Sequence, residues 1–243
     1  LGVYGVARDL AAAGLGTLKS KPLPALTESF KSPVGIELEF DAETQNACPV
    51  FAGRMVKGVK SGPSPKWIRD RLQAIGLRPI NALVDVTNYI SYDQGRPLHV
   101  YDVAKLSGNL KARLGKGETF LALDGKEYTA DETMIVIADD ARVLGFGGIM
   151  GGEESGSTEA TVDVFIESAY FDPNRTAATG RKTGIVSDAR YRFERGIDPA
   201  STLDGADRAA AMIVELCGGA VLWQAACRTR VKRSFLIRRA LKS

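Results

Sequence analysis

Alternating apolar and polar positions divide the chain into short strands in its middle and helices on either side. Val3 to Ala13 carries apolar residues at helical spacing and is stopped by Gly14, while Thr17 to Pro33 is a polar, proline-containing connector. Val34 to Phe40 alternates as a strand, and Val50 to Val59 (VFAGRMVKGV) reads as a second with Lys and Arg on one face. Ser64-Pro65 predicts a helix start, with Ser64 as N-cap and Pro65 at the first helical position. Trp67, Ile68, Leu72 and Ile75 then share an apolar face before Gly76. Asn81 to Gln94 is ambiguous by period. A helix capped by Asn81 and closed by Gly95 is favoured because Leu83, Val86, Thr87 and Ile90 share a face.

Strand patterns follow at Leu110–Leu114 and Thr119–Tyr128, the latter with Asp124-Gly125 as a hairpin turn, and continue through Met134–Ala138 and Arg142–Phe146. Val162, Val164 and Ile166 then alternate with Asp163, Phe165 and Glu167. This predicts a strand with one largely polar face that delivers Glu167 at its end, beside the turns of Gly147, Gly148, Gly151 and Gly152. A basic, glycine-containing loop and a charged Arg/Glu segment lead to Asp198-Pro199, the start of a last helix with Leu203, Ala206, Ala210, Ile213, Val214 and Cys217 on one face before Gly218-Gly219. The fold class predicted is α+β, a large mixed β-sheet flanked by helices. No internal repeat is visible.

Length and composition bear this out: 243 residues with 44% hydrophobic content suffice for a core without staples. There is no run of about eighteen apolar residues, so no membrane partner is expected. Cys48, Cys217 and Cys227 are scattered, with neither CxxC spacing nor nearby histidines, which argues against disulfides and a zinc site and for a reduced, cytoplasmic compartment. The formal charge of +3 misleads, because seven Lys/Arg and no acid follow Leu216. Without those seven, 25 basic face 29 acidic residues, so contact with a polyanion must come from local patches or the tail.

Several clusters carry candidate chemistry. His99 is the only histidine, and no GxSxG accompanies it, so a structural and a catalytic role both stay open. The glycines from Gly145 to Gly156 lack the GxxxxGK[ST] and GxGxxG spacings, which leaves a set of tight turns as the simpler reading of them. Glu153 and Glu154 read as a solvated turn, and Glu167 as a satisfied carboxylate or a ligand group. Arg175, Arg181, Lys182, Arg190, Arg192 and Arg195 are interrupted by Asp188 and Glu194, the pattern of a salt-bridged surface as much as of a nucleic-acid contact. The tail VKRSFLIRRALKS reads as a basic amphipathic helix or a frayed end.

Taken together, Arg78-Pro79-Ile80, Val84-Asp-Val-Thr-Asn-Tyr89, Gly95-Arg-Pro-Leu-His99 with Tyr101-Asp102, Gly148-Ile-Met-Gly-Gly-Glu153, Ile166-Glu167, Ser187-Asp-Ala189 and Tyr191-Arg-Phe-Glu-Arg-Gly-Ile-Asp-Pro199 resemble the B3/B4 region of bacterial phenylalanyl-tRNA synthetase β subunits. The resemblance covers nearly the whole chain to about Gly219. It implies an editing site that hydrolyses tyrosine mischarged on tRNA(Phe), with His99 and Ser187 placing the ester and the attacking water. Arg78, Pro97, Gly148, Gly151, Glu167 and Ala189 would bind the substrate, and no metal is implied. Position 187 is serine where many relatives carry threonine.

The same resemblance divides the chain into an N-terminal helix and linker (1–33), an editing domain (34–219) and an atypical basic tail (220–243). It also implies a fragment of a longer subunit. No cofactor is expected in this piece; ATP and Mg2+ belong to the parent synthetase, whose α subunit and tRNA(Phe) are the expected partners. The alternative is a catalytically silent structural or tRNA-docking module of that synthetase.

Overall fold

The computed structural model describes residues 2–19, 22, 26, 31–221 and 225–228, the last four by backbone only; the tail beyond them lies outside the described residues. The α+β class with a large mixed sheet flanked by helices is the one observed, and its strands divide into two main sheets and a hairpin. The first sheet has the order β1 (Ile36–Glu39), β4 (Leu110–Leu114), β7 (Ile135–Ala138), β8 (Val143–Phe146), β9 (Met150–Gly151). It is mixed, because β1 runs parallel to β4 and the other pairs are antiparallel. The second is antiparallel, with β11 (Ala220–Val221), β2 (Val50–Lys57), β10 (Asp163–Tyr170) and β3 (His99–Asp102) in order and β12 (Ala225–Arg228) also pairing with β2. Thus the start of the segment read as a tail contributes two short strands. β5 (Glu118–Leu121) and β6 (Glu127–Ala130) form the hairpin around Asp124-Gly125, with Gly125 at φ 76°.

Helix ends follow local chemistry. α1 (Val3–Ala12) precedes Gly14 at φ 76°. In α3 (Ala82–Gln94), Asn81 Oδ1 accepts from Val84 N at 3.0 Å and Gly95 closes the helix at φ 70°, as the sequence predicts. α6 (Ser201–Cys217) ends at Gly218, φ 69°. At α2 (Lys66–Ala74) the expectation fails in one respect: Pro65, not Ser64, occupies the N-cap. The Ser64 hydroxyl instead donates to the buried Asp85 carboxylate (2.6 Å), whose other oxygen accepts from Ile80 N (2.8 Å). That carboxylate ties the entry of α2 to α3. Asp85→Ala leaves the buried Ser64 hydroxyl and the part-buried Ile80 N–H without their partner and is expected to lower stability by about 1–3 kcal/mol, read as a drop in the urea midpoint at constant slope. Of the predicted α2 face only Ile68 and Leu72 are buried; Trp67 and Ile75 are exposed, Trp67 edge-on to Tyr89.

The second sheet lies between two cores. One face, with Val56, Val100, Val164 and Ile166, packs on α2, α3 and α6 through Ile68, Leu83, Val86, Ala209 and Ile213. The other, with Phe51, Met55, Tyr101, Phe165 and Ala169, meets Leu110, Ala112, Ile135, Ile137 and Leu144 of the first sheet. β10 is therefore buried on both faces, which corrects the reading of one polar face, and Glu167 sits within the strand rather than at its end. A period-two pattern cannot distinguish a solvated face from one covered by a second sheet.

Two helices replace the predicted basic loop and charged segment. α4 (Pro173–Thr183) is capped by Asp172, which accepts from Arg175 N at 2.9 Å, and closed by Gly184 at φ 70°. α5 (Asp188–Phe193) is capped by Ser187. The charges are largely paired, Arg190 with Glu194 (3.0 Å), Arg192 with Asp188 (3.2 Å) and Lys182 with Asp131 (2.5 Å), as the mixed signs imply. Gly180 in α4 is required by close approach: a Cβ there would lie 2.0 Å from Arg190 Nε.

Candidate active site between the two sheets

The register of β3 and β10 builds the site. Glu167 pairs with His99 and Phe165 with Tyr101, so the four side chains share the face turned to the first sheet. The Tyr101 hydroxyl donates to Glu167 Oε2 at 2.5 Å, and its ring packs edge-on against His99, with centroids 4.5 Å apart. On the other side of Glu167 the β2 partner is Gly53, where a Cβ would lie 2.1 Å from Phe165 Cζ. Glycine there leaves room for the Phe165 ring.

A cavity of about 270 Å3 opens at this point. Pro97, His99, Tyr101 and Glu167 form one wall; Gly148, Ile149, Met150 and Gly151 of the β8–β9 turn form another, and Ser187, Asp188 and Ala189 of α5 close it beside Asn88 of α3. Seven of the residues expected from sequence thus meet: Pro97, His99, Gly148, Gly151, Glu167, Ser187 and Ala189. Arg78 does not line the cavity and lies exposed in the connector between α2 and α3. Tyr101, Asn88 and Asp188, which lie in the motif segments but carry no site role there, also line the cavity. The signal for Tyr101 was available, since two residues after His99 on a strand means the same face.

Burial sets the electrostatics. Glu167 is 7% exposed, and desolvation raises its pKa to about 7, the Tyr101 hydrogen bond acting in the opposite direction. Tyr101 is pushed well above 10 by burial and by the neighbouring carboxylate. Burial lowers His99 to about 4, so its imidazole is neutral at physiological pH. His99 Nε2 is buried without a hydrogen-bond partner among the described residues. Ser187 is engaged twice: its hydroxyl donates to Ile149 O at 2.6 Å and accepts from Arg190 N at 3.0 Å. It clamps the start of α5 onto the β8–β9 turn.

Gly148 of that turn and Gly151 of β9 are both fixed as glycine by close approach. Gly148 has φ 73°, and a Cβ there would lie 2.7 Å from the Phe171 ring. A Cβ on Gly151 would lie 2.5 Å from His99 Cε1 and 2.9 Å from Nε2. Gly151 has no positive φ, so Gly151→Ala tests space alone. It is expected to displace the His99 ring and cut ligand binding at least tenfold, while overpacking lowers stability by about 1–3 kcal/mol; calorimetric titration beside a thermal melt separates the two effects. Among the described residues no three His, Cys, Asp or Glu gather at metal-binding distance, and no helix is long and apolar enough to cross a membrane.

Residues 47–218 match the family model of the B3/4 domain. The chain belongs to the B3/4 domain family. Relatives of this B3/4 protein include the phenylalanine–tRNA ligase beta subunits of Paramagnetospirillum magneticum, 58% identical over 220 residues, Brucella abortus, 58% over 219, and Cereibacter sphaeroides, 56% over 220. Each alignment covers 90% of this chain, which spans only 27–28% of the relatives' length. Among solved structures, an N-terminal fragment of the phenylalanyl-tRNA synthetase beta subunit from Pyrococcus horikoshii superposes with TM-score 0.55 at 17% identity, covering 93% of this chain and 62% of that one. At that identity the likeness is one of fold.

Proposed function

We propose that this cavity is an editing site: it takes the tyrosyl ester of tRNA(Phe) and hydrolyses it, as part of a phenylalanine–tRNA ligase beta subunit. The observation that carries the reading is Glu167, a buried carboxylate in the cavity wall beside His99 and Tyr101, facing the glycine-rich segment Gly148–Gly151. Such a carboxylate is costly to bury and is matched by a ligand that brings a hydroxyl. A tyrosyl phenol would donate to Glu167 and accept from the Gly148 N–H, whereas a phenylalanyl ring would leave both unpaired, at about 1–3 kcal/mol. A synthetic site that accommodates phenylalanine discriminates poorly against an added hydroxyl, so a second site reading that hydroxyl supplies the missing selectivity.

In the reaction, water adds to the ester carbonyl and the bond to the ribose oxygen breaks, giving free tyrosine and the tRNA terminal hydroxyl. The neutral His99 lines the cavity and would orient the ester and the water. Ser187, its proton committed to Ile149, acts by holding α5 and Ala189 against the ligand and not as a nucleophile. Arg78, exposed outside the cavity, would meet the terminal nucleotide or a phosphate. Water-driven ester hydrolysis calls for neither ATP nor Mg2+, which would serve amino-acid activation in the parent enzyme. The α subunit and tRNA(Phe) would be its partners there, and the cytoplasm its compartment.

The test is release of tyrosine from tyrosyl-tRNA(Phe) beside phenylalanyl-tRNA(Phe), with wild type and Glu167→Ala. Wild type is expected to release tyrosine selectively, and the variant to lose roughly ten- to hundredfold of that selectivity. No release at saturating protein would favour a docking module, and unchanged selectivity in the variant would remove Glu167 from the reading.

A further inference from the structure

We propose that Tyr101 is a specificity-setting positioning residue, holding one oxygen of Glu167 so that the other is presented to the ligand. The inference rests on the tyrosyl-ester reading above for the ligand's identity, but the clamp itself is a property of the protein. Glu167 Oε2 takes the Tyr101 hydroxyl at 2.5 Å. Oε1 takes no hydrogen bond among the described residues, yet it is not one of the sealed, unpartnered atoms, and Glu167 lines the cavity. One carboxylate oxygen is therefore held by Tyr101, and the other is left for a ligand in the cavity. Without Tyr101, its side chain has other rotamers in a wall whose opposite strand offers only the bare backbone of Gly53.

The position of Tyr101 is fixed by more than this bond. Its backbone pairs with Phe165 across the ladder, its ring is 2% exposed, and its edge-on contact with His99 joins the two polar groups of the wall into one packed unit. A ligand phenol on Oε1 would complete a carboxylate accepting from two hydroxyls, one from the protein and one from the substrate. Each such bond favours the ionised form. Tyr101 thus has two effects, on direction and on acidity, and both bear on a hydroxyl-bearing ligand more than on one without.

The titratable groups facing Glu167 are few. β3 contributes His99 and Tyr101, and α5 contributes Asp188 at the cavity wall. β2 contributes on this face only Lys57, exposed at the far end of the strand, while Arg54, register partner of Ile166, lies on the opposite face and pairs with Asp207 of α6 at 2.7 Å. The first sheet contributes Ile137, Gly145 and Phe146, none of which titrates. Removing the Tyr101 hydroxyl therefore removes the nearest influence holding the carboxyl group acidic.

The experiment compares the whole chain with Tyr101→Phe in two ways. Carbon-13 NMR of labelled glutamate side chains follows the Glu167 titration, assigned as the resonance missing in Glu167→Gln, and calorimetry measures L-tyrosine and L-phenylalanine binding. The expected result is a Glu167 midpoint about one pH unit higher in Tyr101→Phe, with tyrosine affinity at pH 7 down about tenfold and phenylalanine affinity unchanged. An unmoved midpoint together with an unchanged affinity ratio overturns the proposal, and equal losses for both amino acids reduce Tyr101 to a packing residue. If wild type shows no preference for tyrosine, the editing reading fails, and the clamp is then judged by the titration alone. Should Tyr101→Phe not fold, wild-type chain carrying 3-fluorotyrosine, a stronger donor, is expected to show a lower Glu167 midpoint; no movement there overturns the clamp.

Discussion

Glu167→Gln is expected to be more stable than the wild-type protein by roughly 3 kcal/mol at pH 8 and to match it closely at pH 4.5. The folded-state pKa of Glu167 is raised to about 7 against an ordinary value of 4.5. Between those two values the unfolded chain releases this proton while the folded protein keeps it, so rising pH favours unfolding. Above 7 the full penalty of a buried charge is present. Glutamine keeps the shape and the acceptor for Tyr101 but has no charge to bury, and its advantage grows through that window. His99 works in the other direction: its folded pKa is lowered to about 4, so below 6.5 the unfolded chain gains a proton that the folded protein does not take up. Its contribution is lost as pH falls from 6.5 to 4. From 4.5 to 6.5 the two slopes oppose each other in the wild type and their sum is nearly flat. In Glu167→Gln the histidine slope is exposed. Urea unfolding of both proteins at half-unit intervals from pH 4 to 8 measures the difference, and a difference independent of pH would show that Glu167 titrates normally.

Arg96→Ala is expected to cost about 4 kcal/mol, a larger loss of stability than that of Asp85→Ala or Gly151→Ala. Arg96 is 1% exposed and joins three elements: Nη1 donates to Ala169 O of β10 at 2.7 Å, Nε and Nη2 donate to Ser201 Oγ at 3.0 and 2.7 Å, and Nη2 also reaches Asp198 O. Burial lowers its pKa to about 10, still far above physiological pH, so the guanidinium remains charged. Its stem lies against α6 at Gly205, where a Cβ would come within 2.6 Å of Arg96 Cγ. Truncation removes every one of these hydrogen bonds, including that to the buried Ala169, and opens a void beside α6. Lysine, with one compact donor group in place of the planar fork, is expected to recover less than half of the loss. Since Arg96 directly precedes Pro97 and β3, the same substitution is expected to loosen the wall carrying His99. A urea midpoint within about 1 kcal/mol of wild type would contradict this account.

How far these features could be read from the chain differs by feature. The caps of α3, the Asp124-Gly125 turn and the stop of α6 at Gly218 were legible because each depends on neighbours within four residues. α4 and α5 were legible in principle, through Asp172-Pro173, Gly184 and Ser187, but their density of charge and glycine reads as loop until tertiary contacts pair those charges. Ser64 misled for a related reason, as a hydroxyl suited to capping was claimed by Asp85, twenty-one residues away. At the site, the motif segments point to Glu167, His99 and the glycines from Gly148 to Gly151, while only the structure adds Tyr101 to the wall and leaves Arg78 outside the cavity.

Sequence by itself therefore determined most of the element types, the caps of α3 and the stop of α6, and seven of the residues brought to the site. Tertiary structure alone decided that β10 is covered on both faces, that Glu167 lies mid-strand beside a tyrosine 66 positions away in the chain, and that Arg78 stays outside the cavity. The physical reason is range: capping and periodicity act over one or two turns of chain. The desolvation that gives Glu167 its pKa, by contrast, arises only when two sheets close over it.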